Sequence, residues 1–317
     1  MYFPRFLRPL HKLASLVFLT ATVLVAPELR ASDRPRIVTT NTILADIAAH
    51  VAGPSFDVHC LVPLGADLHG FEPRPADVAR LTGAVLVVAN GAGFEPWLDK
   101  MLASSGYRGA RVAATTGVQL LHASGEPCAH GHAHAHDHGH DPIDPHAWQD
   151  PINGIRYALN IRDALVPLAP ERRAEIERRT QLYVSQLEMT HAWMRRIFAA
   201  IPAAQRRIVT SHDAFAYLAR ACDIEILPMR GLDSRQEPDA RHVAELVEQL
   251  RAGKVRAIFV EAVSNPKMLE QLARDTGVAL GGELFSDSLG PTGSGAETYL
   301  GLLRENALTI ANAVNSR

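Results

Sequence analysis

The 317 residues carry 32 Lys and Arg against 34 Asp and Glu, a formal net charge of −2, with 47% hydrophobic and 21% charged residues. That length allows two domains with sizeable cores. The charge balance gives nucleic-acid binding no support, and no apolar stretch of membrane-spanning length follows the first thirty residues.

Arg5, Arg8 and Lys12 precede an apolar run from Leu13 to Ala26, and Leu29-Arg30-Ala31 offers a cleavage site. This arrangement predicts a secretory signal peptide over residues 1–31, too short and wrongly flanked for a membrane helix. Its removal leaves 28 basic and 33 acidic residues, a net charge of −5. The first cysteine is Cys60, so no lipid-attachment cysteine follows the apolar run. The expectation is a soluble, exported monomer of the periplasm. Three cysteines in an oxidising compartment allow one disulfide. Cys60 with Cys128 is the pairing within one lobe, leaving Cys222, although the sequence does not decide it.

Short β-branched runs then alternate with helical spacing. Arg36–Thr40, Phe56–Val62, Val85–Val88 and Ala110–Ala114 read as four buried strands, separated by helices over Leu44–Val51, Pro75–Leu81 and Glu95–Ser104. A second set of strands follows at Arg207–Thr210, Ile224–Pro228, Val255–Val260 and Val278–Leu280. Its helices are Asp213–Ala221, Asp239–Ala252, Pro266–Asp275 and Ala296–Val314. This alternation is that of α/β lobes with parallel sheets covered by helices. The halves show no convincing internal repeat. Between them, Pro170 to Ala200 holds no glycine and no internal proline and is rich in helix-forming Glu, Arg, Leu and Met. It predicts one rigid helix rather than a flexible linker. The expected organisation is an N-terminal lobe over 32–165, a linking helix over 166–202 and a C-terminal lobe over 203–317.

Histidine dominates the chemistry. His130, His132, His134, His136, His138 and His140 alternate with Gly, Ala and Asp inside a run at 129–141. Six imidazoles at that density form a multidentate trap for Zn²⁺, Cu²⁺ or Ni²⁺. A segment of alternating His, Ala and Gly cannot bury a core face. Its two functional readings are a low-affinity collector that feeds a tighter site, or a docking strip for a metal-delivering partner such as a periplasmic zinc metallochaperone. The bland reading is incidental metal binding by a disordered loop.

Four isolated residues fall at expected carboxyl ends of strands, two in each lobe: His69, His146, His212 and Asp287. In open α/β sheets the ligand crevice lies at that edge, and clefts between domains are favoured sites. Three imidazoles and a carboxylate suit tetrahedral Zn²⁺, whereas Mn²⁺ prefers more oxygen. His50, His59, His122, His191 and His242 read as structural or surface residues. Asp67, Glu72, Glu261 and Glu283 also lie near strand ends, as candidates to orient an imidazole through its other N–H. Ser211-His212-Asp213 is no catalytic triad, since adjacent residues cannot stack into that geometry.

On these residues the chain resembles the metal-binding solute-binding proteins of bacterial ABC importers, the zinc/manganese cluster A-I family. The resemblance runs through Thr40–Asp46, Gly65–Pro75, Asn90–Leu98, Asp144–Pro151, Thr210–Phe215, Ala257–Glu261, Asn265–Lys267 and Ser286–Gly290. It implies two Rossmann-like lobes joined by a long helix, metal in the cleft, His69, His146, His212 and Asp287 as ligands, and Zn²⁺ as cargo. It further implies a membrane permease with a cytoplasmic ATPase as partner. Members with glutamate at the position of His212 resemble manganese binders. Leu68 departs from the family's usual proline, and the histidine-rich insertion is short and close to His146. The alternatives are an importer component for Mn²⁺ or another divalent metal and, in different classes, a zinc hydrolase with Asp287 as general base, which lacks any HExxH signature, or a periplasmic metal buffer.

Overall fold

In the computed structural model residues 34–123, 142–262 and 265–315 are described, together with Tyr2. The signal peptide expected over 1–31 (Tyr2 apart), Cys128 and the histidine-rich run at 129–141 lie outside them. Cys60 and Cys222 are free, and Cys60 Sγ donates to the Val62 carbonyl at 2.9 Å.

The first lobe runs β1 (Arg36–Thr39), α1 (Thr42–Ala52), β2 (Asp57–Cys60), α2 (Pro75–Ala79), β3 (Ala84–Ala89), α3 (Leu98–Ser105) and β4 (Ala110–Ala113). Its four strands pair in parallel in the order β2-β1-β3-β4. A two-residue antiparallel pair follows, β5 (Leu121–His122) with β6 (Ile143–Asp144). Next come α4 (Pro151–Leu165) and α5 (Arg173–Ala199). The second lobe holds β7 (Arg207–Thr210), α6 (Ala216–Cys222), β8 (Glu225–Pro228), α7 (Ala240–Arg251), β9 (Ala257–Glu261), α8 (Lys267–Thr276), β10 (Leu280–Leu284) and α9 (Tyr299–Asn315).

The second sheet, β10-β9-β7-β8, repeats the order of the first: in each lobe the first strand lies between the second and third. The repeat extends to local chemistry. β1 and β7 share the sequence Arg-Ile-Val-Thr. The closing threonine in each donates its hydroxyl to the carbonyl two residues on, Thr39 to Asn41 at 3.2 Å and Thr210 to His212 at 3.1 Å. Four identical residues are too few to announce a repeat in the sequence.

Three departures from expectation have identifiable causes. α4 was not anticipated, although Asp150 caps it by accepting from Ile152 N at 2.9 Å and Pro151 fills its first turn. Its buried positions 151, 153, 154, 157, 158, 161 and 165 follow helical spacing. The last strand lies at Leu280–Leu284, displaced from the expected Val278–Leu280, because Gly281-Gly282 can be strand here. A Cβ at Gly281 would meet the Phe259 ring at 2.4 Å, so the glycine lets β10 approach β9. The linking helix is α-helical from Arg173, with a 3₁₀ turn over Pro170–Arg172 before it.

α5 is not a strut standing in solvent. Ile176, Thr180, Tyr183, Leu187, Thr190, Met194 and Phe198 form a buried stripe along it, packed by α1, α4, α6 and α9. That stripe belongs to one continuous apolar core reaching into both lobes, from Ile37 and Leu44 to Phe259 and Leu302. Two smaller clusters lie beyond it, one around Leu81, Leu98 and Met101, the other around Leu246, Leu250 and Leu269. Among the described residues no helix is long and apolar enough to cross a membrane.

Candidate metal centre

The carboxyl edges of the two sheets converge on one buried spot. His212 follows β7 by two residues, and Asp287 follows β10 by three. His69 lies in the irregular segment between β2 and α2. His146 does not follow β4, as expected, but β6, because the β5–β6 pair intervenes. The four side chains are nonetheless neighbours: one donor atom from each can be chosen so that all lie within 4.8 Å of one another.

The contacts are closer than that bound. His69 Nε2 lies 3.3 Å from His146 Nε2. Asp287 Oδ1 lies 3.4 Å from His146 Nε2, and its Oδ2 lies 3.4 Å from His212 Nε2 and 3.6 Å from His69 Nε2. A tetrahedral ion with bonds of about 2.0–2.1 Å separates its donors by roughly 3.3–3.4 Å. Three of these separations match the edge of such a polyhedron, the fourth is slightly longer, and the His212 donor lies within 4.8 Å of those of the other two imidazoles. Both Asp287 oxygens and His212 Nε2 are buried with no hydrogen-bond partner, an arrangement costly to an apolar interior unless a cation enters it.

Carboxylates stand behind two of the rings. Asp144 Oδ1 lies 2.8 Å from His146 Nδ1 and also accepts the His146 backbone N–H at 2.9 Å. Glu261 Oε2 lies 2.6 Å from His212 Nδ1. Such partners leave the Nε2 lone pair facing the centre and increase its basicity. Glu261 was among the sequence candidates for this task. Asp144 was not singled out, although its position two residues before a candidate ligand was a usable signal. Asp67 instead accepts the backbone N–H of His69 at 2.9 Å. Glu283 is exposed on β10.

The electrostatics set opposite charges facing one another at this spot. Burial works against the His212 imidazolium, but Glu261 and Asp287 outweigh it and hold its pKa well above the usual value. Burial likewise opposes the Asp287 carboxylate, and the facing histidines, His212 first, outweigh it and keep that pKa well below the carboxylate range. Asp213 is pushed up to about 6 by burial and by Asp144, against His146 and His212.

The other described histidines take structural partners. His50 Nδ1 lies 2.9 Å from the Asp46 carbonyl, and the ring stacks on Tyr183. His59 pairs with Asp57 at 2.6 Å, His191 stands 3.6 Å from Asp150, and His242 lies 2.7 Å from the Pro228 carbonyl. His122 sits in β5, paired with Ile143.

Residues 37–313 match the family described as zinc-uptake complex component A, periplasmic (ZnuA). The manganese ABC transporter substrate-binding lipoprotein PsaA of Streptococcus pneumoniae is 30% identical over 291 residues, covering 90% of each chain. The manganese-binding lipoprotein MntA of Halalkalibacterium halodurans is 29% identical over 280 residues, 88% of each chain. Among solved structures, the periplasmic zinc-binding protein TroA from Treponema pallidum superposes with a TM-score of 0.78 at 30% identity. That match covers 89% of this chain and 99% of TroA. These relatives are named as substrate-binding or metal-binding proteins, none of them as an enzyme. PsaA and MntA are named lipoproteins, in contrast to the soluble export expected from a chain whose first cysteine is Cys60.

Proposed function

The chain belongs to the ZnuA family of extracytoplasmic substrate-binding proteins of metal ABC transporters, and from that premise we propose that its cargo is Zn²⁺, bound by His69, His146, His212 and Asp287. The observation that carries this reading is the donor set: three imidazole nitrogens and one carboxylate at tetrahedral spacing, two of the rings backed by buried carboxylates. Three nitrogens favour zinc over manganese, which prefers oxygen donors. The loaded protein docks on a membrane permease driven by a cytoplasmic ATPase, which weakens the site to release the ion. The histidine-rich run collects metal at low affinity and passes it to the cleft.

The alternative cargo, manganese, is the metal for which the relatives PsaA and MntA are named. One experiment separates the two: metal analysis of protein purified from the periplasm, with and without residues 130–140, followed by competition between Zn²⁺ and Mn²⁺. One tightly held zinc in the shortened chain supports the proposal. Manganese in its place overturns the choice of cargo, and loss of all tight binding on deletion overturns the cleft site.

A further inference from the structure

The four donors are not held alike. His146, His212 and Asp287 have fully buried side chains, whereas that of His69 is 9% exposed. The turns carrying His146 and Asp287 are joined across the lobes by buried hydrogen bonds, and the His212 turn is held by the buried Glu261 carboxylate of its own lobe. Trp148 Nε1 and Gln149 Nε2 each donate to the Ser286 carbonyl at 2.8 Å. The Tyr217 hydroxyl donates to the Asp144 carbonyl at 2.8 Å and accepts from Leu121 N at 2.9 Å. His69, in contrast, sits on a strap without regular structure between Cys60 and Pro75.

Two contacts fasten that strap to the C-terminal lobe. Gly65 N donates to Ser288 Oγ at 3.1 Å, four residues before His69. Nearer the ring, Asp67 Oδ1 accepts both the His69 backbone N–H at 2.9 Å and the Ser234 hydroxyl at 3.3 Å. Arg235 lies over the same turn, with its Cδ 3.1 Å from where a Cβ on Gly70 would stand. One carboxylate oxygen therefore links the least buried donor to a loop of the opposite lobe.

We propose that Asp67 is a positioning residue that sets the lifetime of the bound ion, holding His69 onto the C-terminal lobe through Ser234 so that His69 is the first ligand to leave and the last to close. The inference rests on His69 being a ligand. Detaching His69 costs two partly buried hydrogen bonds, whereas moving His146 or Asp287 breaks buried bonds shared between the lobes and moving His212 breaks its turn's buried bonds to Glu261. Water and a competing ligand then reach the ion from the exposed side while three donors still hold it.

The test is zinc release from the full mature chain to an excess of chromogenic chelator. Ser234→Ala removes the cross-lobe hydroxyl and leaves the Asp67–His69 bond in place. It is expected to accelerate release about five- to tenfold, the loss of one hydrogen bond, without lowering the melting temperature of the metal-free protein. Ser234→Thr, which keeps a hydroxyl, is expected to restore the slow rate. Hydrogen exchange supplies a second readout: the His69 amide loses protection in Asp67→Ala. Unchanged release in Ser234→Ala, with weakened binding in His69→Ala, overturns this inference alone. Unchanged binding in His69→Ala overturns the ligand assignment beneath it.

Discussion

Glu261 Oε2 lies 2.6 Å from His212 Nδ1, and the same carboxylate's Oε1 accepts the backbone N–H of Ser211 at 2.9 Å and of His212 at 3.0 Å. One buried side chain thus fixes both the turn after β7 and the ring that the turn presents. With its pKa raised, His212 keeps a proton at neutral pH in the metal-free protein. An incoming ion must displace that proton, so affinity falls as pH falls. Glu261→Gln is expected to weaken zinc binding about 10- to 100-fold. It also lowers the number of protons released at pH 7, because the imidazolium loses its counter-charge. Calorimetry in buffers of different ionisation enthalpy measures both quantities, and an unchanged affinity would sink the assigned role.

Asp213 gives a pH dependence of stability with a defined sign. Its carboxyl is pushed up to about 6 in the folded chain, against an unfolded value of about 3.9. Between those values the folded protein holds a proton that the unfolded chain has lost, so this group makes stability fall as pH rises. Asp213→Asn removes the effect. Discounted for partial exposure, it is expected to stabilise the metal-free protein by about 1–2 kcal/mol at pH 7 and by almost nothing near pH 4. Urea unfolding of both proteins across that range checks it; a difference independent of pH would refute the cause given.

The same residues show what could be read in advance. Seven of the eight main strands were legible because each is a short apolar run between turn signals, and β10 was displaced because glycines mask a strand whose neighbours need close approach. His69, His212 and Asp287 follow strands, so their convergence could be read from topology. His146 was reached for a partly mistaken reason, since the β5–β6 pair that delivers it is only two residues long in each strand. Trp148 and Tyr217 were not legible as partners, because their contacts cross from one lobe to the other, whereas Asp144 contacts His146 only two residues away. No local pattern encodes a hydrogen bond between residues 73 positions apart.

Gly154 tests how tightly the Tyr299 side chain, at the start of α9, is pressed against α4. A Cβ there would lie 2.5 Å from the Tyr299 hydroxyl oxygen and 2.7 Å from Cε1. That hydroxyl donates to the Trp148 carbonyl, two residues beyond His146. Gly→Ala within a helix ordinarily gains about 1 kcal/mol, whereas overpacking a buried contact costs about 1–3 kcal/mol. Because Tyr299 is buried on all sides, the second effect wins, and Gly154→Ala is expected to lower the melting temperature and weaken zinc binding together. A rise in melting temperature would show that the helices can part without penalty.

The proposed preference for zinc is expected to depend on more than the residue at position 212. His212→Glu supplies an oxygen donor, but the new carboxylate would share its buried space with Glu261 and Asp287, which lie 2.6 Å and 3.4 Å from the present ring. Like charges at such distances raise the pKa of one of them, and a protonated carboxyl is a poor ligand. The single variant is therefore expected to lose zinc without gaining manganese. In His212→Glu combined with Glu261→Gln the nearer of the two like charges is gone and only Asp287 remains, while the glutamine oxygen can still accept the N–H groups of residues 211 and 212. The paired change is expected to shift the ratio of zinc to manganese affinity toward manganese by at least about tenfold, following the oxygen preference of the harder ion. Competition binding of the two metals to wild type, single and double variants measures that ratio. Equal ratios in the single and double variants would mean that Glu261 orients the donor without influencing which ion it accepts.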